Sequence, residues 1–294
     1  MKAFLLTDVF DTDSSCLKRS AMALRSVGFG QSKSDEASAV YVSHQGEAQM
    51  AFSGVSLPVD KKRTEESLAK RVQKAGALKL KIKPQVIYED TLSLKSAVDT
   101  LLAQAKKQSV GLVVLSTQAR KGFARFLLGS FAETLIHRSS IDLLILNPKA
   151  KVRAKTKSMV VAIDLEKGVE QLVRETAELA RKLDATVTYV HVPSPSYSVH
   201  FKGQDPSVAK YRKAVDRKVA QLDGLARSLG AKASVQIAGR WQAVSDVVLQ
   251  VAKKQKADLI VIKAKSGSLA TLMLGSVARS VVRKSEVPVM VVRR

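Results

Sequence analysis

VGLVVLSTQARKGFARFLLGSFAETLIHRSSIDLLIL, residues 110–146, decides the fold because the chain uses the pattern twice. Its second copy is KADLIVIKAKSGSLATLMLGSVARSVVRKSEVPVMVV, Lys256 to Val292. An offset of 146 residues lays Leu128-Gly129-Ser130 over Leu274-Gly275-Ser276, Ala132 over Ala278 and Ser139 over Ser285. Carried through without a gap, it also lays Val113-Val114-Leu115 over Leu259-Ile260-Val261. Each copy reads apolar strand, basic loop, Gly-Ser, short helix, apolar strand. A matched order of this kind is a duplicated α/β unit.

Working outward, the rest of each half alternates strand and helix. Ala3–Thr7 is an apolar run ending at Asp8, and Met159–Ile163 ends in the same way at Asp164. Leu17, Ala21 and Leu24 share one helical face, as do Val169, Leu172 and Val173. Further strands are expected at Ala39–Ser43, within Leu78–Tyr88, at Thr186–Val192 and at Ala233–Ile237. The start of the Leu78–Tyr88 run alternates apolar residues with lysines, as an edge strand does. Parallel strands joined by helices need right-handed crossovers, so the expected class is α/β with doubly wound parallel sheets. The chain divides into 1–148 and 158–294, with a basic linker over 149–157. The apolar last strands, Ile141–Leu146 and Val287–Val292, are edges that invite pairing. The expectation is two separate layers, not one continuous sheet.

Bulk properties exclude several classes. The apolar runs are strand-sized, so no membrane span is expected. One cysteine, Cys16, rules out an intrachain disulfide. Together these point to the cytoplasm. His44, His137, His191 and His200 lack metal-ligand spacing. The patterns G-x4-G-K-[ST] and G-x-S-x-G are both missing. The net charge of +23 divides as +8 over residues 1–150 and +15 over 151–294. Such a field favours polyanions, nucleic acid among them. Aromatics are only 5%, and no basic run carries interleaved rings for base stacking, so a solvated basic surface explains the charge equally well.

The first-strand aspartates, the segment RFLLGSFAE (Arg125–Glu133) and the segment LMLGSVA (Leu272–Ala278) resemble the universal stress protein family in its tandem form. The resemblance implies two Rossmann-like domains packed as a pseudo-dimer through their last strands. Nucleotide-binding members carry G-x2-G-x9-G-[ST] after the fourth strand. At those places this chain has Ser116, Ala119, Gly129 and Ser130 in the first half, and Ile262, Lys265, Gly275 and Ser276 in the second. The first two glycines are gone from both halves. Ser116 and Ala119 are small enough to let a phosphate approach; Ile262 and Lys265 are bulky.

For each Gly-Ser pair two readings stay open. The serine caps a helix, or the pair presents N–H groups to an anion. By resemblance, Asp8 and Asp164 would lie near an adenosine, with ATP or AMP as the ligand. Slow ATP hydrolysis is implied only by resemblance, and no residue stands out as a catalytic base. Three functions compete: a non-enzymatic stress sensor or scaffold with degenerate sites, a regulatory ATP/AMP binder with the first half the better site, and a polyanion-binding protein. The Pro- and Ser-rich loop Pro193–Pro206 is a candidate flap.

Overall fold

A computed structural model describes residues 1–7, 14–44, 60–76, 80–91, 93–117, 130–165, 168–193, 206–237, 243–264 and 275–293. The strands are β1 (Lys2–Leu6), β2 (Glu36–His44), β3 (Ile82–Glu89), β4 (Leu112–Ser116), β5 (Asp142–Leu146), β6 (Ser158–Ile163), β7 (Thr186–His191), β8 (Lys232–Ile237), β9 (Leu259–Lys263) and β10 (Val289–Val292). The helices among the described residues are α1 (Ser15–Ser26), α2 (Lys61–Ala75), α3 (Leu94–Lys107), α4 (Ser130–Arg138), α5 (Val169–Leu183), α6 (Pro206–Ser228), α7 (Val244–Lys254) and α8 (Ser276–Lys284).

The strands lie in the order β3-β2-β1-β4-β5-β10-β9-β6-β7-β8. Each half is parallel throughout, and the halves meet at one antiparallel pair. There Val289 faces Ile145, Met290 faces Leu144 and Val291 faces Leu143. This corrects the expectation of two separate layers. Two edges that satisfy each other's backbone N–H and C=O groups extend one ladder, so the layers become a single ten-stranded sheet. The edges that remain are β3 and β8. In β3, Pro84 and flanking lysines blunt the exposed side.

The central strands are apolar on both faces because helices cover both. One core packs Leu17, Ala21 and Leu24 of α1, Leu68 of α2, Leu172 and Val173 of α5 and Leu222 of α6 against one face. The other packs Val98 and Leu101 of α3, Leu135 and Ile136 of α4, Val248 of α7 and Val281 and Val282 of α8. Both cores draw residues from both halves. In α6, Val215, Leu222 and Ala226 are buried and Val208 is half-buried.

Across the junction each half caps a helix of the other. Asn147 follows β5, is 2% exposed, and donates to Val282 O (2.8 Å) and Ser285 O (2.7 Å) at the end of α8. Arg293 follows β10 and donates from Nη2 to Ile136 O near the end of α4. Each donor meets a carbonyl that the last helical turn leaves free. The connection after β5, read from sequence as a linker, is docked. Ala150 and Thr156 are buried, Arg19 Nη2 donates to Asn147 O and Ala150 O, and Lys151 N donates to Glu286 O. Asp258, also buried, accepts from Lys157 N (2.8 Å) and Ser158 N (3.1 Å) and pairs with Arg153.

Candidate functional site

In an open parallel sheet a ligand crevice forms beyond the carboxyl ends of the strands where the strand order reverses. Here that happens twice, between β1 and β4 and between β6 and β9. The strand register also corrects the gapless alignment of the two copies. Val114 pairs with Leu5 and Val261 pairs with Val161, while Leu5 and Val161 each lie three residues before their half's aspartate. Val114 is therefore equivalent to Val261, an offset of 147, and the loop after β9 is one residue shorter than that after β4. Lys263, not Ile262, stands in the place of Ser116. Core membership agrees, because Val114 and Val261 share one face of the sheet, whereas Ile262 packs on the other with Leu115.

The two crevices are chemically different. In the first, Leu6 pairs with Leu115, so the next residues, Thr7 and Ser116, are neighbours. Both hydroxyls are buried and neither has a hydrogen-bond partner among the described residues. Two orphan hydroxyls side by side need an account, because a buried polar group without a partner costs about 1–3 kcal/mol. Thr7 carried no signal in the sequence; its importance comes from standing beside Ser116. In the second crevice the equivalent residues are Ile163, 6% exposed, and Lys263. The Lys263 ammonium lies against Gly168, whose φ is +88°; a Cβ there would come within 2.6 Å of Nζ. Asp164 follows β6 at this rim and is half-buried. Beside it His191, 8% exposed, contacts Ile163 O through Nδ1 at 3.2 Å. A carbonyl only accepts, so Nδ1 carries the proton and Nε2 is a bare acceptor, buried without a partner among the described residues. Burial holds the His191 pKa below its usual value, against the opposing pull of the Ile163 carbonyl and Asp164.

Of the two readings left open for the Gly-Ser pairs, capping by the serine does not hold at the second pair. Ser276 is the first residue of α8, and the N-cap is Gly275, which has no side chain to offer. Its φ of −58° suits any residue, and a Cβ added there would meet nothing within 4 Å among the described atoms. Serine prefers the N-cap because its oxygen accepts from N2 or N3; one residue later that geometry is lost. Ser130 likewise opens α4 and is exposed. Asp8, Ala119, Gly129, the basic residues Arg120, Lys121 and Arg125, and most of the Pro193–Pro206 loop lie outside the described residues. Among those described, no His, Cys, Asp or Glu group is arranged to hold a metal ion, and no helix is long and apolar enough to cross a membrane.

A model of the universal stress protein family matches residues 10–147 and again residues 155–293. The chain belongs to the universal stress protein family. A universal stress protein of Archaeoglobus fulgidus with known crystal structure covers 100% of this chain and 98% of its own, at 17% identity and a TM-score of 0.65. A putative universal stress protein of Pseudomonas aeruginosa covers 99% of this chain and 92% of its own, at 16% identity and a TM-score of 0.59. At these identities the likeness concerns the fold. Universal stress protein G of Salmonella typhimurium is 44% identical over 54 residues, which span 18% of this chain and 38% of that protein.

Proposed function

We propose that this universal stress protein is a non-enzymatic, regulatory binder of an adenine nucleotide, with one working site, in the first half. The observation that carries the reading is the contrast at the two strand-order reversals. Thr7 and Ser116 offer two unpartnered hydroxyls where the second half has Ile163 and a lysine ammonium. Hydroxyls there suit the polar edge of a ribose or a phosphate oxygen. An isoleucine beside an ammonium packed on Gly168 fills the same space in the other half. Adenine nucleotide is the ligand class that the family resemblance implies, with Asp8, Ala119, Gly129 and Ser130 completing the first site. Asp164, Gly275 and Ser276 then hold no nucleotide. The reading keeps the domain limits 1–148 and 158–294 and a cytoplasmic location.

Calorimetric titration of the full chain with ATP and with AMP tests it. The expected result is one site per chain, abolished by Ser116→Leu and unchanged by Lys263→Ala. Two equal sites, or binding indifferent to Ser116→Leu, would overturn it.

A further inference from the structure

We propose that the outer face of α8 is a second anion site, one that takes a compact phosphoryl anion such as inorganic diphosphate. A groove of about 300 Å³ is lined by Ser276, Arg279, Ser280, Arg283 and Lys284. Their spacing puts all five on one side of the helix. The lining is two hydroxyls, two guanidinium groups and one ammonium, with no carboxylate.

The charge is only partly answered from outside the groove. Arg283 pairs with Glu133 of α4, and Lys284 pairs with Asp246 of α7. Arg279 has no ion pair among the described residues. A donor is in excess as well: Arg283 Nε has no acceptor among the described residues. His137 on α4 registers this field: burial lowers its pKa first, and the cations Arg279 and Arg293 lower it further, against Glu133. An N–H donor without an acceptor on a cationic groove is what an oxyanion would satisfy. The volume is at the low end for ligand clefts, which suits a small anion and not a whole nucleotide.

The site stands apart from the nucleotide reading, because Thr7 and Ser116 belong to the other half. Calorimetry of the full chain with sodium diphosphate, at ionic strength held constant with chloride, is the test. One saturable site is expected. Arg279→Gln with Arg283→Gln should weaken it roughly tenfold or more, while Ser116→Leu leaves it intact. Arg279→Lys with Arg283→Lys keeps the charge, leaves Glu133 a partner and loses the planar forks, so an intermediate loss is expected. Circular dichroism checks that each variant folds. A second arm titrates ATP: binding that the double Gln variant weakens, but Ser116→Leu does not, assigns the phosphoryl group to a nucleotide at the same groove. Unsaturable heats, or equal diphosphate affinity in the wild type and both double variants, would overturn the proposal.

Discussion

Replacing Asn147 by leucine should loosen the seam between the two halves, and the size of the effect follows from the bonds lost. The side chain is 2% exposed and makes four hydrogen bonds to backbone. Two are donated to the carbonyls of Val282 and Ser285; two are accepted by Oδ1 from Lys149 N and Ala150 N. Leucine keeps the branched heavy-atom skeleton with bulkier methyl groups, and four backbone groups lose a partner. Each such group costs about 1–3 kcal/mol when buried. Ser285 and Val282 lie deep in the junction, whereas Lys149 N is near the surface and can take water. A total of roughly 3–5 kcal/mol is expected, a large share of the ~5–15 kcal/mol that holds a typical domain. With a urea slope of about 2–3 kcal/mol/M, the midpoint should fall by ~1–2 M. Asn147→Asp sharpens the test. It keeps both accepted bonds but replaces the two donors by a carboxylate facing two carbonyls, and should cost at least as much at neutral pH. Urea unfolding followed by circular dichroism reads both variants, with the exposed Ser32→Ala as control. A midpoint shift below about 0.3 M for Asn147→Leu would refute the view that this side chain caps α8 across the junction.

Other perturbations follow from single observations. Asp258→Ala should destabilise by about 1–3 kcal/mol, since it strips two part-buried backbone donors and Arg153 of their acceptor; trypsin should then cut faster at Lys151, Arg153 and Lys155. Burial depresses the pKa of both His137 and His191. The unfolded chain therefore binds protons more readily, and the stability of the neutral histidines is complete above about pH 6.5 and declines as pH falls below it. The urea midpoint should drop between pH 7.5 and 5.5 (both ~), and a His137→Gln, His191→Gln double variant should flatten that drop. Gly168→Ala forces a Cβ onto a φ of +88° and toward Lys263 Nζ. A loss of about 1–2 kcal/mol is expected; adding Lys263→Ala should relieve the clash but not the backbone strain, and full recovery would count against the strain argument.

Much of the fold was legible because its causes are local. The continuous apolar runs at Leu112–Leu115 and Leu259–Ile262 announce strands buried on both faces, and the repeated LGS segment announces duplication. Boundaries moved by a residue or two, as with Val287, which lies before β10. The one-residue shortening of the loop after β9 was hidden, because apolar residues of similar size slide along a strand without changing its pattern. Only pairing with β6 fixed the register and brought Lys263 to the crevice. The capping reading of Ser276 fails for a related reason: composition names the right residue type, but one residue of backbone decides whether its oxygen reaches a free N–H.

By itself, the sequence determined that two α/β units exist, that their sheets are parallel, and that each ends in an apolar edge strand, since periodicity and apolar content are local properties of the chain. Tertiary structure decided that the edges fuse into a single sheet, that Asn147 and Arg293 each cap the opposite half, and that Thr7 acquires a neighbour in Ser116. Those outcomes depend on which residues are brought together across more than a hundred positions of chain. No local pattern encodes such a meeting, because its free energy exists only once the partners are in place.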